Sequence, residues 1–275
     1  MNDTTADRFA DLPAGPTICY RIDGPADGVP LLLIAGLALD LTSWPDQLVG
    51  GFTGRGFRVV RLDNRDAGRS SRIATPPPGR VRQLLARPRP DAYDLADMAA
   101  DTASLLDHLG IDRIHLVGMS MGGMIAQILA ARHPSRVATL TSIFSTTGHR
   151  RVGQPAWSTL ARMATPAART AEESVARHLA MLRHIGGTGF SPDEALERAW
   201  AAAVWDRSGG ARDGAAVARQ IDAIRASGDR TAELRRITAP TLVVHGDRDR
   251  MVHPSGGRAT ATAIPGAQHV EIPGM

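Results

Sequence analysis

Apolar residues fall in short unbroken runs separated by longer stretches with helical spacing. Val29 to Ala35 is continuously apolar, as expected of a strand covered on both faces by helices. Phe57 to Leu62, Arg113 to Val117, Val137 to Phe144, Thr241 to Gly246 and Ala267 to Ile272 also read as strands. Pro16 to Ile22 alternates weakly and reads as an earlier strand, turned by Asp23-Gly24-Pro25. Trp44 to Gly54, Asp94 to Leu109, Met124 to Arg132 and Pro254 to Ile264 have the composition and spacing of helices. Thr42 or Ser43, ahead of Pro45, is the expected cap of the first. Leu95, Met98, Leu105 and Leu109 share one face of the second, which Gly110 stops. Gly256-Gly257 makes a poor start for the last. Strands alternating with helices in this way predict an α/β chain with a mostly parallel sheet.

Two stretches break the alternation. Residues 75–90 are rich in proline and arginine and cannot hold one regular helix; they form a surface excursion near the top of the sheet or partly cover the site. In residues 149–236 Ala, Arg and Glu dominate, and Trp157, Trp200, Trp205, His178 and His184 appear. This reads as three or four helices inserted over the sheet as a lid. The tryptophans are either lid core or the wall of an apolar pocket. The division expected is a core over 1–148, a lid over 149–236 and a second core segment over 237–275.

The 275 residues can bury a sizeable core, and an apolar fraction of 43% excludes a disordered chain. The formal charge is +4. All basic residues are arginine, and they are mixed with acids, as in Arg58, Arg61, Asp63, Arg65 and Asp66. Without aromatic interleaving these read as solvated faces and argue against a nucleic-acid partner. Arg82 to Arg89 is the one basic patch worth testing. Cys19, the single cysteine, can form no intrachain disulfide and reads as a small core hydrophobe. Residues 1–12 lack a signal-peptide core, and no apolar run approaches membrane-spanning length. A soluble, cytoplasmic protein without a membrane partner is expected.

The chemistry concentrates in Gly118-Met119-Ser120-Met121-Gly122-Gly123, between an apolar strand and a helix-forming run. A serine with glycine two residues away on each side, at a strand-to-helix turn, has the signature of a nucleophile elbow. The chain reverses so tightly that side chains at 118 and 122 would clash, and the serine is held strained with its hydroxyl outward. The amides at the helix start then face a reacting carbonyl. In a fold with this elbow, an amide just past the strand ending at Ala35 is the second oxyanion donor, and Leu37 is the candidate. The acids of Asp247-Arg248-Asp249 leave the carboxyl end of a strand, the edge where ligands gather in open α/β sheets. The Asp63 to Ser70 turn is read as structural. No histidine and acid cluster has metal-ligand spacing.

Five pieces in order carry a resemblance: Ile34-Ala35-Gly36, Asp63-Asn64-Arg65-Asp66-Ala67-Gly68-Arg69-Ser70, Gly118-Met119-Ser120-Met121-Gly122, Gly246-Asp247-Arg248-Asp249 and Ile272-Pro273-Gly274-Met275. With them the chain resembles the α/β-hydrolases, and within these the bacterial esterases of the aclacinomycin methylesterase type. The resemblance implies an α/β-hydrolase fold with an inserted helical lid. It also implies a nucleophile at Ser120, an acid at Asp249 in preference to Asp247, oxyanion amides at Leu37 and Met121, and no metal or organic cofactor. Many members have histidine where Ala35 stands, which leaves the backbone donor unaffected.

Serine at its free pKa is a poor nucleophile and needs an imidazole. In the order Ser, Asp, His, that imidazole follows the last strand, but His269 lies inside this strand. Members of the family that share Ile-Pro-Gly-Met continue with Gly-His. The chain is therefore expected to be C-terminally incomplete, lacking its catalytic histidine and final helix. The expected activity is hydrolysis of carboxylic esters of small apolar substrates through an acyl-enzyme. The alternatives are a cofactor-free haloperoxidase-like or carbon-carbon bond hydrolase, or an inert homologue that binds a small apolar ligand. The oligomeric state is open.

Overall fold

The computed structural model describes residues 6–13, 15–85, 87–165, 168–210 and 213–275, without the side chains of Arg80 and Leu84. Expectations for the first five residues fall outside this range. The first half of the chain forms β1 (Arg8–Asp11), β2 (Thr17–Asp23), β3 (Val29–Ile34), α1 (Asp46–Thr53), β4 (Phe57–Leu62), α2 (Arg80–Leu84), α3 (Leu95–His108), β5 (Ile114–Met119), α4 (Met121–Arg132) and β6 (Val137–Ile143). The inserted segment holds α5 (Trp157–Met163), α6 (Ala171–Ile185), α7 (Glu194–Arg207), α8 (Gly214–Ser227) and the single turn α9 (Thr231–Leu234). β7 (Thr241–Gly246), α10 (Ser255–Ala263) and β8 (Gln268–Ile272) follow.

The strands form one sheet in the order β1-β2-β4-β3-β5-β6-β7-β8. β1 and β2 run antiparallel at one edge and the rest are parallel. Side chains alternate across the sheet. Leu32, Ile34, Val60, Leu62 and Leu116 join one core cluster with residues of α3 and α4, while Leu31, Leu33, Val59, Val117 and Met119 join Trp44 and Val49 on the opposite face. This double coverage explains the unbroken apolar run of β3. The chain steps from β3 outward to β4, then returns to place β5 on the other side of β3. That reversal opens a crevice at the carboxyl ends of β3 and β5, the position at which open α/β sheets bind ligands.

Several sequence expectations change. β1 was not anticipated, because only Ala10 of its residues is buried and its pairing Ala10↔Ile18 leaves no periodic trace. The cap before α1 is not Thr42 or Ser43. Asp40 caps a 3-10 turn at Leu41–Ser43 by accepting from Thr42 N–H, and α1 starts after Pro45. α4 starts at Met121, three residues earlier than the apolar spacing indicates. Among the described residues of the excursion at 75–90, α2 is the one regular element. Gly256 and Gly257 are required by packing: a Cβ on Gly257 would lie 2.5 Å from His245 Nδ1 and one on Gly256 2.9 Å from Ser145 O.

The charges at the end of β4 are not solvated. Arg61, Asp63 and Asp66 are buried, and the pairs are Arg61–Asp23 at 2.9 Å, Asp63–Arg207 at 2.8 Å, Arg65–Asp101 at 2.6 Å and Asp66–Arg219 at 2.6 Å. The partners lie far away in sequence, beyond the reach of a local charge pattern. Arg207 of α7 also contacts Asp7 and Asp40, so the lid is tied to the carboxyl edge of the sheet by buried ion pairs. Among the described residues no helix is long and apolar enough to cross a membrane.

Candidate active site

Ser120 sits between β5 and α4 with φ 53° and ψ −120°. A non-glycine residue in this region is strained by about 1–3 kcal/mol and persists only where its surroundings fix it. They do so here through three bonds. Ser120 N–H donates to Ile143 O at 2.9 Å, Ser145 Oγ donates to Ser120 O at 2.9 Å, and Met124 N–H donates to the same carbonyl at 3.2 Å. Sterics close the turn. A Cβ on Gly118 would lie 2.3 Å from Gly122 O, and one on Gly122 2.1 Å from Ile34 O.

The loop after β3 lies against the serine, since a Cβ on Gly36 would come 3.2 Å from Ser120 Cβ. Asn64 Nδ2 donates to Ala35 O at 3.1 Å and Leu39 N–H to Gly36 O at 3.2 Å. Ala38 has φ 58°, and its N–H donates to Gln220 Oε1 at 2.9 Å. Among the described residues, neither Leu37 N–H nor Met121 N–H has an acceptor. Met121 opens α4, where the first-turn amides have no intrahelical partner and carry the positive end of the helix dipole.

Asp249 leaves the carboxyl end of β7. The register Met119↔Ile143↔Val244 sets β7 two strands from β5, about 10 Å at the usual strand spacing. Asp249 Oδ1 accepts from Met251 N–H at 2.7 Å and Val252 N–H at 3.0 Å. Asp247 instead accepts from Gly274 N–H at 2.7 Å and braces the end of the chain against the β7 loop.

His245, in β7, is not among the residues that the sequence singles out. Its imidazole is fully buried; Nε2–H donates to Val252 O at 2.7 Å and lies 3.4 Å from Asp249 Oδ2. It braces the loop that carries Asp249. The usable signal was its position, four residues before an acid at the end of a core strand. His269 stands in the row Gly118↔Ser142↔Val243↔His269, three strands or about 14 Å from β5, beyond the reach of an imidazole. Among the described residues no histidine hydrogen-bonds Ser120.

The lid tryptophans divide. Trp205 is buried and, with Val204 and Val217, lines a cleft that also touches Ala38. Trp200 donates its Nε1–H to Thr42 O at 2.9 Å and packs against the His178 ring at a tilt of 54°. Trp157 is 87% exposed and is neither core nor wall.

Comparison with known proteins gives a consistent result. Residues 29–275 match the alpha/beta hydrolase fold family. The chain is 35% identical over 274 residues to a rhodomycin D methylesterase of Streptomyces peucetius, covering 91% of this chain and 85% of the relative. It is 29% identical over 239 residues to a putative non-heme haloperoxidase of Mycobacterium phage D29, covering 85% and 76%. The enol-lactonase of Burkholderia xenovorans LB400 superposes with a TM-score of 0.72 at 28% identity, covering 96% of this chain and 91% of that one. With the strand order and the elbow, these matches establish that the chain belongs to the α/β-hydrolase fold family.

Proposed function

We propose that the protein hydrolyses carboxylic esters of small apolar substrates through an acyl-enzyme on Ser120. The observation that carries this reading is the strained serine at the sheet's switch point, flanked by two amides, Leu37 and Met121, that lack acceptors among the described residues. Ser120 Oγ attacks the ester carbonyl, and the oxyanion that forms takes hydrogen bonds from these amides. Each such donor lowers the barrier by about 3 kcal/mol. Asp249 is the acid: with Oδ1 held by its own loop, Oδ2 orients an imidazole placed between it and the serine. Among the described residues no histidine hydrogen-bonds Ser120, so in the assay below the imidazole is supplied in solution; it accepts the serine proton and returns it to the leaving alcohol. Water then attacks the acyl ester by the same route. No metal or organic cofactor takes part, and the cytoplasm is the proposed location.

The similarity to a methylesterase supports ester cleavage over the haloperoxidase-like alternative, and substrate profiling separates the two. The test is hydrolysis of short p-nitrophenyl esters by the 275-residue chain, with and without added imidazole. After subtraction of the hydrolysis that the same imidazole concentration gives without protein, the rate should exceed zero, rise with imidazole and vanish in Ser120→Ala. A Ser120→Ala variant as active as the parent would refute the role of the serine. Binding of a small apolar ester without turnover under either condition would favour the inert homologue.

A further inference from the structure

Among the described residues four non-glycine residues have a positive φ, and two of them, Ala38 at 58° and Asp66 at 65°, lie in the loops after β3 and β4. A left-handed conformation costs such a residue roughly 1–2 kcal/mol, so something must hold each loop in place. Two consecutive residues of the lid helix α8 do so. Arg219 forks onto the Asp66 carboxylate at 2.8 and 2.6 Å. Gln220 accepts Ala38 N–H at 2.9 Å and donates its Nε2–H to Arg65 O at 2.8 Å, bridging the two loops. Gln220 has no solvent exposure, so water does not replace these bonds if they break.

Ala38 N–H is the amide next to that of Leu37. Leu37 N–H shares its peptide with Gly36 O, which accepts from Leu39 N–H; that turn closes with Ala38 left-handed and its N–H held by Gln220, and so the direction of the Leu37 N–H is fixed. Without Gln220, Ala38 can relax from its left-handed conformation, which opens the turn, releases Gly36 O from Leu39 N–H and lets the Gly36-Leu37 peptide turn the Leu37 amide from the reacting oxygen. We infer that Gln220 is a positioning residue for the oxyanion site, through which the docking of the lid sets the aim of the Leu37 amide. This rests on Ser120 and Leu37 having the roles proposed above. Arg219 serves as the internal comparison, because it docks the same helix without touching Ala38.

The experiment compares Gln220→Met, Arg219→Met and Ser120→Ala in the ester assay, with a trifluoromethyl ketone as a mimic of the tetrahedral adduct. Deleting a whole oxyanion donor costs about 10²–10³ in kcat; misdirecting one should cost about 10-fold or more. Gln220→Met should therefore lower kcat with KM little changed, and weaken ketone binding by the same factor. Arg219→Met should lower thermal stability at least as much while retaining most of its kcat and ketone affinity. Equal kcat losses in the two variants, or an unchanged ketone affinity in Gln220→Met, would overturn the inference. If Gln220→Met does not fold, amide exchange in the unsubstituted protein decides. A protected Ala38 N–H, further slowed by the ketone, is expected, and exchange at the rate of a free amide overturns the inference. Loss of activity in Ser120→Ala beside full activity in Gln220→Met would sink the positioning role alone; full activity in Ser120→Ala would sink the hydrolase reading itself.

Discussion

Replacing Arg207 with methionine leaves Asp7, Asp40 and Asp63 without the guanidinium that stands 3.1, 2.8 and 2.8 Å from them. The three are not equally exposed to the loss. Asp7 keeps Arg21 and Arg69, and Asp40 keeps Thr42 N–H. Asp63 keeps two amide donors, Leu41 and Arg69, but no cation among the described residues, and its side chain has no solvent exposure. Breaking a buried pair from one side costs about 3–5 kcal/mol. The remaining amides place Arg207→Met near the lower end, about 3 kcal/mol, or about 6–12 °C in Tm at about 2–4 °C per kcal/mol.

The pH dependence has a definite sign. Burial already holds the Asp63 carboxyl above the usual carboxylate range, against the opposing pull of Arg207, and removing that cation raises it further. A group whose folded pKa is raised gives its full stabilisation below the unfolded value of about 3.9 and loses it as pH rises through the folded value. The variant's deficit is therefore smallest in acid and largest at neutral pH and above. Denaturant unfolding across the acid to neutral range measures it, and Asp63→Asn in the Arg207→Met background should recover part of the loss. A deficit below about 1 kcal/mol, typical of exposed pairs, or one that does not shrink in acid, refutes the reasoning.

Two further outcomes follow from the site. Gly122→Ala drives a methyl group to 2.1 Å from Ile34 O, and since a backbone contact of this kind cannot yield cheaply, a loss of at least about 2 kcal/mol together with ester hydrolysis is expected by calorimetry and assay. His245→Leu removes the donor to the buried Val252 O, at about 1–3 kcal/mol; kcat should fall with KM unchanged as Asp249 loses its support, and an unaltered kcat would assign His245 to packing alone.

The elbow was legible because its requirement is local: two glycines, a strand and a helix within a few residues. The strands of the central sheet were legible because double coverage leaves unbroken apolar runs such as Leu31 to Ile34. The position of the Asp247-Arg248-Asp249 loop at the sheet's carboxyl edge was legible because it follows a core strand. What escaped was long-range. Arg61, Asp63 and Asp66 looked like surface charges until Asp23, Arg207 and Arg219 were brought to them by the fold. Gln220 lies 182 residues from the amide it accepts, and a glutamine in a helix carries no sign of such a partner. β1 exists through its pairing with β2, which supplies the order that its own residues do not encode.

The most direct test of the central claim is the site of reaction with a fluorophosphonate, which needs an activated serine and mimics the tetrahedral adduct. Mass spectrometry of the labelled protein should find a single adduct on Ser120, accelerated by imidazole and absent in Ser120→Ala. A protein that labels elsewhere, or labels equally well without that hydroxyl, would contradict the account.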